Sequence, residues 1–285
     1  MVLGVNNYKM LCNKGSGEYN EDIIGFTPFG AWVLDGATGL NNKNLVSKES
    51  DAKWYVSWWN NFLHQNISKE KSLKNIIKEG LGKIKDEYER KINNVKLDKI
   101  DTPSSSGLFI KFHKDKIEYL LLGDCTLIYS DNERANFIKD ESVSVLDERV
   151  FEYMEKVSSL KKLTLEEKKN EVMPIIIDNR IKKNTFKGYW ILEFSKKAVD
   201  NGLHGYINIG KDMKIMLTSD GFSSAFDRYN IFEKEEIINI AKKQGIEYIY
   251  NKIREIENKD KKAVEFPRFK ISDDSSCIYL DIYKN

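Results

Sequence analysis

The sequence is short of the residues that carry most thiol, zinc and redox chemistry. Three cysteines, Cys12, Cys125 and Cys277, are spread over 285 residues with no CxxC spacing. That speaks against a disulfide framework and favours a reducing, cytoplasmic setting. His64, His113 and His204 stand far apart, with neither HExxH nor a Cys/His cluster, so zinc has little support. Only four prolines occur, and the abundance of Lys, Asn and Ile fits a polar-surfaced globule rather than a disordered chain. No apolar run approaches the ~20 residues of a bilayer span, and Met1 to Met10 meets Asn and Lys too early for a signal peptide. Neither sign of charge is in excess: 46 basic and 44 acidic residues leave +2, which gives no reason to expect nucleic acid or an anionic membrane as partner. GxSxG, Walker and GxGxxG loops are missing as well, so covalent serine catalysis and nucleotide cradling lack support.

What the chain does have is an aspartate at one apolar run after another. The run Trp32-Val33-Leu34 stops at Asp35-Gly36. Taken alone, Asp-Gly reads as a turn. The event recurs, however, at Gly123-Asp124-Cys125, at Ser219-Asp220-Gly221 and at Asp273, which opens the last apolar stretch. Asn20-Glu21-Asp22 leads into Ile23-Ile24-Gly25-Phe26, one hairpin away from Asp35, so these acids are expected at one end of a sheet. Oxygen ligands gathered without His or Cys suit Mg²⁺ or Mn²⁺. Carboxylates packed together without cations would repel one another. A two-metal centre built from them could activate a water for displacement at phosphorus.

Around these points the periodicity predicts an α+β protein in one domain, 1–285. Helices are expected through Trp54, Trp58 and Phe62, and through Leu73, Ile76, Ile77, Leu81, Ile84, Tyr88 and Ile92, with the aromatics packed on a sheet. Strands are expected at 108–112, 117–122, 127–129, 189–192, 213–217 and 278–282, largely in antiparallel pairing. From Glu141 to Lys183 the chain turns helical and polar. Thr164 and Glu167 form a capping box there, and Pro174 is expected to kink or end the helix. Further helices are expected at 233–241 and 246–256.

The motifs Asn20-Glu21-Asp22, Val33-Leu34-Asp35-Gly36 with Gly39, Gly123-Asp124-Cys125, Thr218-Ser219-Asp220-Gly221 and Asp273-Asp274-Ser275-Ser276 stand in the order of the metal-dependent protein phosphatases of type 2C. The sequence resembles that family over nearly its whole length, in a bacterial-type form. The resemblance implies a four-layer α-β-β-α sandwich and hydrolysis of phosphoserine and phosphothreonine in protein substrates. It implies that Asp35 bridges two Mn²⁺ or Mg²⁺ ions with the Gly36 carbonyl as a further ligand. Asp220 and Asp273 would hold the first ion and Glu21 the second, while Asp22 orients the attacking water. Asp124 with Asp220 would hold a third, weaker ion, and residues 141–188 would form a flap. Three departures stand out: Lys14 is the one cation where members often carry a phosphate-gripping arginine, Ala37 replaces a histidine, and Cys125 replaces a serine. Lysine lacks the bidentate fork of arginine. Two alternatives go with this reading, a pseudophosphatase that binds phosphoproteins as a scaffold and a phosphatase of a small phosphorylated metabolite.

Overall fold

The computed structural model describes residues 4–40, 43–93, 95–131, 134–160 and 163–283. Two five-stranded sheets, antiparallel throughout, form its centre. Numbered in chain order, the first sheet runs β1 (Gly4–Asn13), β10 (Ser275–Tyr283), β9 (Asp212–Thr218), β6 (Thr126–Asp131) and β7 (Arg134–Lys139). The second runs β2 (Asp22–Thr27), β3 (Gly30–Ala37), β4 (Ser104–Phe112), β5 (Lys116–Leu122) and β8 (Leu203–Asn208).

Strand periodicity sorts the side chains into three apolar layers. Val33, Leu108, Ile110, Leu121, Leu127, Ile215, Leu217, Ile278, Leu280 and Ile282 meet between the sheets. The opposite faces of the same strands, with Trp32, Leu34, Phe109, Leu120 and Leu122, are covered by α1 (Asp51–Asn66), α2 (Leu73–Lys91) and the short α5 (Lys196–Asn201). Met216, Ile128, Cys277 and Tyr279 are covered by α6 (Asp220–Asp227), α7 (Ile237–Gln244) and α8 (Ile246–Lys259). The result is the four-layer sandwich expected from the motifs. Each fully buried Leu, Ile or Phe contributes about 1.5–3 kcal/mol, so three stacked cores amply hold the sheet ends that carry the polar site. The helices begin where the sequence provides caps: Ser50 Oγ accepts from Lys53 N at 3.2 Å, and Ser72 Oγ from Asn75 N at 3.4 Å.

Residues 142–181 form an antiparallel pair, α3 (Ser142–Leu160) and α4 (Leu165–Ile181). The pair rests on the segment before β10 and, through Leu146, on Tyr189 and Ile191. Buried Lys168 donates to the carbonyls of Lys262 and Ala263, both at 3.3 Å, and the Phe151 and Phe269 rings lie 5.0 Å apart. The Thr164–Glu167 capping box is present.

Besides the short helices at Lys196–Asn201 and Asp220–Asp227, which no periodicity announces, the structure departs from the sequence reading in four places. Pro174 sits inside α4, which continues to Ile181. Pro174 and Asn170, four residues earlier, both face outward, so the carbonyl left without a partner can be solvated. Residues 189–192 make no strand. Leu192 forms a single bridge to Ser105, the two exchanging backbone bonds of 2.8 and 3.0 Å. Asp35 and Gly36 do not end their strand, because β3 runs on to Ala37 with Asp35 opposite Ser106 and Gly36 opposite Ser105. Finally β1, β7 and β8 were not expected, and all three are edge strands. An edge strand is half solvated and carries a weak apolar signal. In β1 a register shift between Val5 and Asn7 also breaks the alternation.

Candidate active site

The topology places the recurrent acids together. Asp22 opens β2 and pairs with Asp35 in the register of β2 and β3. Ser106 of β4 lies across from Asp35, and its hydroxyl bonds Asp124 at 2.5 Å just beyond the end of β5. In the other sheet Thr218, the last residue of β9, pairs with both Thr126 and Cys277, the first and third residues of β6 and β10. Asp220, the first residue of α6, and Asp273, just before β10, therefore lie at the same end of the sandwich. Two glycines allow the close approach. A Cβ on Gly221 would fall 1.9 Å from Asp274 O, and one on Gly36 would fall 2.7 Å from Glu21 O. Gly36 N instead donates to Glu21 O at 3.0 Å. Asp274 ties the loops together, accepting from Gly15 N at 2.8 Å and from Glu21 N at 2.7 Å.

The electrostatics record the convergence. Burial, then the charges of Asp22, Asp220, Asp124 and Asp273, push the Asp35 carboxyl well above the usual carboxylate range. Asp22 is pushed up by burial and by Asp274 and Asp273. Both of its oxygens are shut from solvent and have no hydrogen-bond partner among the described residues, while the nearby hydroxyls of Ser276 and Ser219 ease the shift. Asp220 is raised by burial, Asp273 and Asp124 against the pull of Arg228. For Asp273 burial is outweighed by Lys270 and Arg228, which hold it below its ordinary value, and Lys270 Nζ lies 2.8 Å from Asp273 Oδ1.

The donors are hard oxygens from five elements or loops, more negative than the nearby cations can balance. That set fits a hard divalent cation. As the side chains stand, no group of three or more His, Cys, Asp or Glu among the described residues has metal-holding geometry. Several carboxylates instead take protein donors: Asp273 takes Lys270, Asp124 takes Ser106, and Glu21 takes Thr38 Oγ1 at 2.6 Å together with the Ser50 hydroxyl. Glu21 is thus the acid of the set that stands apart, joined to the cluster through its backbone. Lys14 is exposed, and its Nζ donates to Glu18 O at 3.1 Å.

Solved structures with this architecture include proteins of bacteria. The Mycobacterium tuberculosis serine/threonine phosphatase PstP superposes with a TM-score of 0.58 over 99% of this chain and 100% of that one, at 12% identity. MsPP, a PPM Ser-Thr phosphatase from Mycobacterium smegmatis, gives 0.55 over 97% and 98% at 11% identity. PppA, a regulatory component of T6SS in Pseudomonas aeruginosa, gives 0.59 over 99% and 100% at 10% identity. This is the type 2C-like phosphatase fold. No protein-family model and no curated protein matches the chain by sequence. A structure of the PstP catalytic domain holds two manganese ions. Among the described residues no helix is long and apolar enough to cross a membrane.

Within this fold a cleft of about 340 Å³ runs beside the carboxylates, between α3 and α6. Asp124, Asp147, Asp220, Ser223, Ser224, Phe151 and Arg228 are among its walls. Asp147 and Arg228 belong to no motif read from the sequence, because a single charge on an amphipathic helix carries no spacing signal. Cys125 is a buried free thiol in the layer between the sheets, pushed up by burial and the neighbouring acids, which matches a packing rather than a redox role.

Asp147 brings the α3–α4 pair into the electrostatics of the cleft. Burial, then Asp124 and Asp220, raise its carboxyl to about 7, with Arg228 and Arg180 pulling the other way. An acid raised in the folded state weakens the fold as pH climbs from its unfolded value of about 4 toward its folded one. Asp147→Asn is therefore expected to raise the melting temperature in chelator at about pH 8 and to change it little at about pH 4.5. Thermal melts at the two pH values check this, and an equal gain at both would contradict it.

Proposed function

We propose that the chain is a Mn²⁺- or Mg²⁺-dependent phosphatase of phosphoserine and phosphothreonine in proteins. The observation that carries this reading is the pairing of Asp22 with Asp35 across one hairpin, with Asp220, Asp124 and Asp273 charged against them from three other segments. Asp35, Asp220, Asp273 and the Gly36 carbonyl, with Glu21 behind them, are the residues that would hold the ions. A bound ion pair would supply Lewis-acid charge for the phosphoryl oxygens and lower the pKa of water. Asp22 offers two buried acceptor oxygens without a hydrogen-bond partner among the described residues, so it can orient a nucleophilic water and take up its proton. With Ala37 at the position where a histidine could donate, no protein acid stands in that place for the leaving group, and water serves instead. Asp124, held by Ser106, stands beside Asp220 where a further ion would bind. The α3–α4 pair is the flap of this reading, its Arg180 reaching Thr38 O at 3.5 Å.

The test is hydrolysis of phosphoserine and phosphothreonine peptides and of p-nitrophenyl phosphate, with Mn²⁺ and with chelator. Turnover only with the ion, and faster on the peptides than on small phosphate esters, is expected. Folded protein without metal-dependent turnover would favour the second reading, a phosphoprotein-binding module. The engagement of Asp273 by Lys270 and of Glu21 by Thr38 and Ser50 speaks for that second reading.

A further inference from the structure

Resting on the phosphatase reading, we propose that Arg228 is the residue that grips the substrate phosphate. A phosphate monoester brings two negative charges into a cleft already rich in carboxylates, so binding needs a cation not already neutralised. Of the cations lining the cleft, Lys139 and Lys234 are both committed to Asp227, at 2.6 and 3.0 Å. Nearby, Lys270 is held by Asp273 at 2.8 Å, and Arg180, which donates to Thr38 O at 3.5 Å, is not among the residues that line the cleft. Lys14 bonds the Glu18 carbonyl on the exposed surface. Arg228 is different. It lines the cleft beside Asp220 and Ser224, yet among the described residues its guanidinium makes no hydrogen bond and no ion pair.

Two contacts fix where that guanidinium stands. Its backbone closes α6, with Arg228 N donating to Ser224 O at 3.2 Å, so the side chain starts one short helix away from Asp220. The guanidinium carbon then lies 5.6 Å from the centre of the Phe151 ring, which belongs to α3. The fork is placed by a core helix on one side and by the flap on the other. A planar group with five donors and a fixed face suits two-point bonding of phosphate, which an ammonium cannot reproduce. The nearby carboxylates Asp220, Asp273 and Asp147 attract it without bonding it, so it stays near the cluster with its donors available. Divalent ions on those carboxylates would loosen that attraction and leave phosphate as its strongest partner.

The probe is inorganic phosphate, measured by titration calorimetry against the full chain in saturating Mn²⁺, and also as a competitive inhibitor of p-nitrophenyl phosphate hydrolysis. Arg228→Gln should weaken phosphate binding about 10- to 100-fold, the loss of a charge-assisted hydrogen-bond pair. Arg228→Lys should weaken it about 3- to 10-fold, since charge remains without the fork. Manganese affinity, read by electron paramagnetic resonance of the same variants, should stay within about 3-fold, because Arg228 attracts the ligands without bonding them. Unchanged phosphate affinity in folded Arg228→Gln, or a phosphate loss matched by an equal manganese loss, overturns the proposal. Should Arg228→Gln not fold, wild-type affinity in Arg228→Lys overturns it equally. A wild-type chain that hydrolyses phosphoester while Arg228→Gln binds phosphate normally sinks this proposal alone. A wild-type chain that neither hydrolyses nor binds phosphate takes the phosphatase reading down with it.

Discussion

Replacing Asp35 with Asn is expected to abolish nearly all phosphatase activity while leaving the protein folded and, in chelator, more stable than the parent. Asp35 is the centre of the cluster: Asp22, Asp220, Asp124 and Asp273 all act on it, and burial adds to their effect. Losing a group that merely supports a ligand typically costs about 10- to 100-fold, so removing the carboxylate all the others surround should cost on the order of 10³-fold in kcat. Asn keeps the shape and the backbone bonds of β3, so the strand pairing with Asp22 and Ser106 survives. Most substitutions at partly buried sites destabilise by about 0.5–3 kcal/mol. Here the change deletes one of several charges that repel in the fold, and the sign reverses. Melting curves in chelator with parallel rate measurements check both halves. A variant within ten-fold of the parent rate, or one that unfolds, would contradict this role for Asp35.

The second large effect is the dependence of the fold itself on the ion. A ligand that binds only the native state, at a concentration about 100 times its Kd, adds about 2.7 kcal/mol. For a chain of this size that corresponds to a rise of about 4–5 °C in melting temperature. Mn²⁺ should therefore shift the melting temperature upward in proportion to the logarithm of its concentration, and chelator should return both melting temperature and turnover to the metal-free baseline. Asp35→Asn should blunt the shift. A melting temperature indifferent to Mn²⁺ and Mg²⁺, in protein that melts cooperatively, would leave the carboxylate cluster without its expected counter-charge.

The sequence foretold the centre of the molecule far better than its margins, for a physical reason. Strands buried on both faces, such as Ile278 to Ile282 and Leu108 to Phe112, announce themselves as apolar runs because neither face meets water. The edges β1, β7 and β8 are partly solvated, and their mixed residues read as loop. Amphipathic helices were legible from one apolar face, Leu73 to Tyr88 most plainly. For the site, the acids were legible because each follows or opens an apolar run, and the antiparallel topology then had to bring such boundaries to one end. Glu21 was legible in position but not in conformation, since nothing in Asn20-Glu21-Asp22 shows that Thr38 and Ser50 would claim its carboxylate. Lys270, Asp147 and Arg228 were not legible at all. Their importance comes from tertiary packing of α3, α6 and the segment before β10, which leaves no local pattern.

The decisive measurement is the anomalous scattering of manganese in crystals of the chain soaked with Mn²⁺. The expected result is two neighbouring peaks with Asp35 between them, Asp220 and Asp273 on one, and Lys270 displaced from Asp273. Peaks held elsewhere, or none at saturating Mn²⁺ with the Lys270–Asp273 pair intact, would contradict a divalent-cation centre at this end of the sandwich.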